Sequence, residues 1–240
     1  MTQPAFLDDA YKREATARVI SHTAEGGIVL DSSIFYATSG GQPGDAGRLV
    51  WHHGGIDIAT TVKGQGEDIV LVPAEPSRLP ELGTWVTQSL VWDRRHRLMR
   101  VHTALHLLSV VIERPVTGGQ IAIDKGRLDF EMELAPEDKD GLTNALNALI
   151  DANLPVTAKW ITETELDAQP ELVKTMSVSP PRGRGHIRLI RIGQDAGTVD
   201  LQPCGGTHVG WTGEIGRVRI GKIEKKGRLN RRVYLHLEDA

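Results

Sequence analysis

Cysteine is nearly absent. Cys204 is the single one in 240 residues, so an intramolecular disulfide is impossible and a reducing compartment is the simpler setting. Long apolar runs are missing too. No stretch approaches the roughly 18 consecutive apolar residues of a membrane-spanning helix, and the opening MTQPAFLDDAYKREA lacks the basic-then-apolar layout of a secretory signal. The expectation is a cytoplasmic protein with no membrane partner; the oligomeric state stays unknown. There is no low-complexity tract and no solenoid-type repeat. An excess of positive charge is also lacking: the net charge is −3 and the pI near 6.3, which argues against a broad phosphate-binding surface. Basic residues gather locally instead, in RRHR at 94–97, RGRGHIR at 182–188 and KIEKKGRLNRR at 222–232. Each reads either as a solvated charge run or as a local nucleic-acid contact.

What is present suits a globular chain of two modest domains, with 40% hydrophobic and 25% charged residues. From about residue 14 to 92, short apolar or alternating runs (TARVI, GIVL, IFYA, GRLVW, IDIATTV, DIVLVP, WVTQSLVW) are broken by Gly, Pro, Asp and Ser. Strands at such spacing predict a small β-barrel or sandwich. The character then changes. Leu98, Val101, Leu105, Leu108 and Ile112 recur at separations of three and four, predicting a helix with one buried stripe and wet arginines. Beyond it TGGQIAIDKGRLDFEMEL reads as a hairpin, APEDKDGLTNALNALIDANL as a helix from near Pro136, and PVTAKWIT as a strand. A short helix at about 163–169 precedes the strands HIRLIRIG, GRVRIGKIE and RRVYLHL. The expected class is α+β, with a β-barrel domain at 1–91 and an α+β domain at 92–240.

Two residue pairs carry chemistry. In HTALH, His102 and His106 stand four apart, so on a helix both imidazoles project from one face and can meet one ion. They can equally be two hydrogen-bonded core histidines. Thr103 occupies the place where a zincin protease carries its catalytic glutamate, which removes the general base of that mechanism. About a hundred residues on, QPCGGTHVG holds Cys204 and His208 around Gly205, Gly206 and Thr207. The glycines permit a tight turn that lets thiolate and imidazole converge. Three histidines and one cysteine form a nitrogen-and-sulfur donor set suited to Zn²⁺. Such a metal could be structural and closed, or catalytic with an open position. A third reading makes Cys204 a nucleophile, a nearby histidine its base and the Gly-Gly amides an oxyanion hole.

HTALHLL followed by CGGTHV resembles the editing domain of alanyl-tRNA synthetases and its free-standing relatives, the alanyl-tRNA editing proteins of the AlaX type. GGQIAIDKGRLDFE at 118–131, IRLIRIG at 187–193 and TGEIGRVRIGKIEKKGRLNRRV at 212–233 support the match. YATSGGQPGDAG is similar to the glycine-rich element of the longer AlaX members, which carry a small β-barrel ahead of the editing domain. Gly40, Gly41 and Gly44 would serve an ordinary hairpin loop equally well.

The resemblance implies a trans-acting, zinc-dependent hydrolase that deacylates tRNA(Ala) mischarged with serine, and possibly glycine, with no aminoacylation core in the same chain. The ligands would be His102, His106, Cys204 and His208. A water activated by the metal would attack the ester, and no side chain is assigned as general base. Thr103 is nominated to hydrogen-bond the serine hydroxyl, its alternative being a bond back to the carbonyl one turn earlier; Gln120 and Asp129 are further candidates for polar contacts in the pocket, the alternative for each being that it finishes a strand or turn. For the tRNA partner the implied contacts are Gly40, Gly41, Arg188, Arg191, Lys225, Lys226, Arg231 and Arg232. Two rival functions stay open: a non-catalytic tRNA-binding module with structural zinc, and the same esterase chemistry on a different mischarged tRNA.

Overall fold

The computed structural model describes residues 1–173 and 185–239; Arg182 and Arg184 of the second basic run lie outside them. The chain divides into two compact units, Met1–Arg97 and Leu98–Ala240. It belongs to the α+β class, a barrel unit followed by a mixed unit.

The first unit contains β1 (Gln3–Pro4), β2 (Glu14–His22), β3 (Ile28–Leu30), β4 (Ser32–Ser33), β5 (Gly47–Trp51), β6 (Gly54–Lys63), β7 (Ile69–Pro73) and β8 (Trp85–Leu90). Six of these close a barrel in the order β2-β3-β7-β6-β5-β8. Alternation turns Ala17, Val19, Leu49, Ile56, Ile58 and Val86 into its core while intervening residues such as Arg48 and Asp57 stay wet. The IFYA run is buried as expected of a core segment, but Ile34–Ala37 form no strand. Side chains replace the ladder there: Ile34 N donates to Gln88 Oε1 (3.0 Å), Phe35 N to Ser33 Oγ (3.1 Å) and Tyr36 N to Asp45 Oδ2 (2.6 Å).

Helix α1 (Trp92–Val111) departs from the single-stripe reading. Every residue from Leu98 to Ser109 is buried. Two of its arginines are buried as well, Arg95 at 0% and Arg100 at 8% exposure, because each finds an acceptor for all three guanidinium nitrogens. Arg95 is ion-paired to the buried Asp45 and donates to the carbonyls of Ala10 and Ile34. Arg100 donates to Ile215 O at 2.8 Å and grips both oxygens of Asp239.

The second unit continues with β9 (Val116–Ile121), β10 (Lys125–Glu131), α2 (Lys139–Asp151), β11 (Val156–Thr162), α3 (Glu163–Asp167), β12 (His186–Ile192), β13 (Asp200–Pro203), β14 (Val218–Gly227) and β15 (Asn230–Leu237). Two antiparallel sheets result, β14-β15-β10-β9 and β11-β12-β13. Helix α2 starts three residues after Pro136, since Asp138 caps it by accepting from Gly141 N at 2.7 Å. Gly126 of β10 lies directly under α1: a Cβ there would stand 2.8 Å from Val101 Cγ1 and 2.9 Å from Leu105 Cδ1. The helix thus seats against strand backbone, which fixes where its histidines point. Among the described residues no helix is long and apolar enough to cross a membrane.

Candidate metal centre

His102 and His106 lie one turn apart on α1 and meet edge to face, their ring centroids 5.2 Å apart. The loop after β13 brings Cys204 and His208 to them. Cys204 Sγ lies 3.5 Å from His102 Nε2 and 3.3 Å from His208 Nε2, and one donor atom from each of the four residues falls within 4.8 Å of every other. In a tetrahedron with Zn–N near 2.05 Å and Zn–S near 2.3 Å, nitrogen and sulfur stand about 3.5 Å apart. The sulfur already stands at that distance from two of the imidazoles, and the four-residue set could hold a metal ion.

Electrostatics point the same way. Burial opposes ionisation of Cys204, yet the imidazoles around it, His102 foremost, outweigh it and hold the thiol well below its ordinary range. Burial, reinforced by the charge of His102, pushes His208 well down, leaving it neutral with a lone pair to give. His106 goes the other way: burial alone would lower it, but the hydrogen bonds to Asp200 and Cys204 raise it to about 9. A half-buried thiolate and a buried carboxylate therefore demand positive charge here, which protons place on His106 and which a divalent cation would supply directly.

Two groups hold the imidazoles from behind. Asp200 Oδ2 lies 2.9 Å from His106 Nδ1 and also accepts from Gln202 Nε2 at 2.9 Å. Asp200 gave no signal in the sequence, because its partner is 94 positions away. Thr103 serves His208. Its hydroxyl donates its only proton to Met99 O at 2.9 Å, accepts from Val209 N at 3.3 Å and faces His208 Nδ1 at 3.1 Å. With the proton spent, the His208 contact requires Nδ1–H as donor, so Nε2 is bare toward Cys204. Of the two readings of Thr103, the bond back to the carbonyl one turn earlier is the one present here; the residue is 0% exposed, and its one donor and two acceptor sites are engaged.

The other expected site residues are scattered. Gln120, Arg127, Asp129 and Arg232 share the face of their sheet opposite Gly126 and Leu128, turned away from α1. Arg232 holds Asp129 through two bonds of 2.8 and 2.9 Å, and Arg127 bridges Asp129 (2.8 Å) and Gln120 (3.3 Å). Neither Gln120 nor Asp129 joins the four-residue cluster. Arg188 is at the site but in a different office, donating from Nη1 to Cys204 O (3.1 Å) and Gly206 O (2.9 Å), so it clasps the ligand loop. Arg191 lies on the opposite face of β12, paired with Leu201. Arg231, 7% exposed, caps the last hairpin through Gly227 O at 2.9 Å and Glu133 O. Lys225 and Lys226 are exposed, Lys226 beside Glu224 at 2.8 Å. In the first unit, Gly40 and Gly41 (φ +54° and +82°) are the centre of a two-residue turn closed by Ser39 and Gln42, the ordinary hairpin role.

The nucleophile reading finds no support in this geometry. Gly206 N–H points at Cys204 Sγ itself, at 3.4 Å, and so does not stand ready for an oxyanion formed beyond the sulfur.

Comparison with known proteins gives a consistent picture. Residues 187–234 match the family described as "Threonyl and Alanyl tRNA synthetase second additional domain", and residues 5–94 match "tRNA synthetases class II (A)". The alanyl-tRNA editing protein AlaX-M of Methanosarcina acetivorans is 33% identical over 249 residues, covering all of both chains. That of Methanosarcina barkeri is 35% identical over 248 residues, again covering both completely. The alanine–tRNA ligase of Pyrobaculum arsenaticum is 35% identical over 235 residues, spanning 93% of this chain and 25% of the ligase.

Proposed function

The chain belongs to the AlaX-M family of alanyl-tRNA editing proteins, and on that footing we propose that it is a zinc-dependent deacylase of tRNA(Ala) mischarged with serine, with glycine as a second candidate. The observation that carries the reading is the convergence of His102, His106, Cys204 and His208 within 4.8 Å. A Zn²⁺ ion held by these residues would supply Lewis acidity beside the ester, and would lower the pKa of a water there where one coordination position opens to it. The rest of the work belongs to the chain. Asp200 and Thr103 fix the rings of His106 and His208 so that each turns its other nitrogen to the ion, and Arg188 keeps the Cys204 loop from drifting. Burial of all three histidines excludes bulk water from the donor set. A synthetase pocket separates alanine from serine or glycine by only about 1–3 kcal/mol, and a second hydrolytic site supplies the missing discrimination. The tRNA is met in the cytoplasm, with Lys225 and Lys226 as phosphate contacts.

The test is single-turnover deacylation of serine-, glycine- and alanine-charged tRNA(Ala), with and without chelator, alongside metal content of the wild type and Cys204→Ala. The serine ester is cleaved, the alanine ester spared, and Cys204→Ala loses metal and activity together. Retained zinc with full activity in that variant would remove the site; binding without cleavage of any ester would leave a tRNA-binding module with a structural metal.

A further inference from the structure

Trp160 is 49% exposed on β11, an edge strand of the three-stranded sheet. Its place in the register is informative. Trp160 pairs with Arg188, and Leu189 with Pro203, without a bulge in either ladder; one step on, Cys204 N donates to Arg188 O at 3.0 Å. Residues directly opposite in an antiparallel pair share a face. Trp160, Arg188 and Cys204 therefore form one row across the sheet with their side chains on the same side, while the neighbouring Ile161, Ile187 and Leu189 turn to the small core on the other. Two strand spacings, about 10 Å, separate the indole's backbone from that of the metal-ligand cysteine.

We propose that Trp160 is the platform on which the terminal adenine of the tRNA stacks while its ester lies at the His102/His106/Cys204/His208 cluster. This rests on the deacylase reading above and adds to it the group that receives the base. The ester and the base of a charged terminal nucleotide are separated by one ribose, which suits an aromatic in the same row as Cys204 and one strand beyond Arg188. Aromatic stacking needs only a π-face, and an exposed indole on the ligand side of the sheet provides one. Arg188 ties the two ends together, since it neighbours Trp160 in the ladder and clasps the Cys204 loop.

The test uses the full chain as wild type, Trp160→Phe and Trp160→Ala, with metal content measured for each. Single-turnover deacylation of seryl-tRNA(Ala) should show the half-saturating concentration rising about tenfold or more in Trp160→Ala, with the maximal rate within a few-fold and most of the loss restored in Trp160→Phe. Two stable probes separate stacking from structure: seryl-3′-amino-3′-deoxyadenosine, and the same amide on a ribose lacking the base. The adenosine amide should bind wild type about tenfold more tightly than Trp160→Ala and quench the fluorescence that wild type has in excess of Trp160→Phe. The base-less amide should bind all three alike. Equal binding of the adenosine amide to wild type and Trp160→Ala, or an equal loss for both amides, overturns the proposal. A wild type that binds and is quenched by the adenosine amide but cleaves no charged tRNA sinks the deacylase reading and leaves the stacking site standing.

Discussion

Replacing Thr103 by valine keeps the shape of the side chain and removes one oxygen, and the structure states what that oxygen does. It is the acceptor for Val209 N–H and for His208 Nδ1, both buried. Leaving a buried donor unmatched costs about 1–3 kcal/mol each, so the folded protein should lose roughly 2–6 kcal/mol if neither donor finds water. Only the His208 share bears on metal. Losing a group that orients a ligand histidine weakens metal binding about 10- to 100-fold, or about 1.4–2.7 kcal/mol. The assay is zinc competition against a chromogenic chelator at fixed pH, with denaturant unfolding of the metal-free protein in parallel. Thr103→Ser keeps the oxygen and should behave as wild type in both. The rival view, in which this hydroxyl reads the serine substrate, makes the opposite forecast: unchanged zinc affinity and new cleavage of correctly charged alanyl-tRNA. Wild-type zinc affinity in Thr103→Val would refute the orienting role.

Asp200→Ala should weaken zinc binding by a similar 10- to 100-fold without changing the tRNA dissociation constant; an unaltered zinc affinity in chelator competition would show that His106 needs no carboxylate. Asp45→Ala strands the guanidinium of Arg95, which is 0% exposed, and should cost about 3–5 kcal/mol of stability, read from the denaturant midpoint of the barrel unit's tryptophan signal. A loss under about 1 kcal/mol would mean that the pair is replaceable by solvent. Lys225→Ala with Lys226→Ala should weaken tRNA binding and flatten the plot of log affinity against log salt by about one per lysine that meets a phosphate. Arg231 and Arg232 are committed to Glu133 O, Gly227 O and Asp129, so their removal should show in stability before it shows in the salt slope.

The four metal-ligand candidates were legible because each pair is local: i and i+4 on one helix, and two donors around a glycine turn. That the pairs meet could not be derived from either one; it needed the family resemblance, and then the fold. Asp200 stayed invisible since a lone aspartate four residues before Cys204 resembles any strand residue until the ladder is drawn. Thr103 kept two readings open, because a sequence shows that a hydroxyl is present without showing whether its proton and lone pairs are taken. The arginines of α1 failed for a related reason. Periodicity sorts residues by apolarity, and Arg95 is buried by virtue of Asp45, fifty positions earlier. Strand alternation did better, giving the barrel strands, although the Ile34–Ala37 run shows that buried apolar residues can be fed by side-chain acceptors instead of a neighbouring strand.

Gly126 brings no donor, charge or hydroxyl, yet it sets how closely the helix carrying two of the metal-ligand candidates can approach its strand. With the smallest possible spacer between β10 and α1, the imidazole pair hangs from the strand at a height set by main-chain thickness. An alanine there would put a methyl 2.8–2.9 Å from the side chains of Val101 and Leu105, the residues just before His102 and His106, so those side chains or the helix must give way. Donor spacings matched to one ion tolerate little of that, so drift at an inert position could switch off metal capture while leaving every ligand in the sequence.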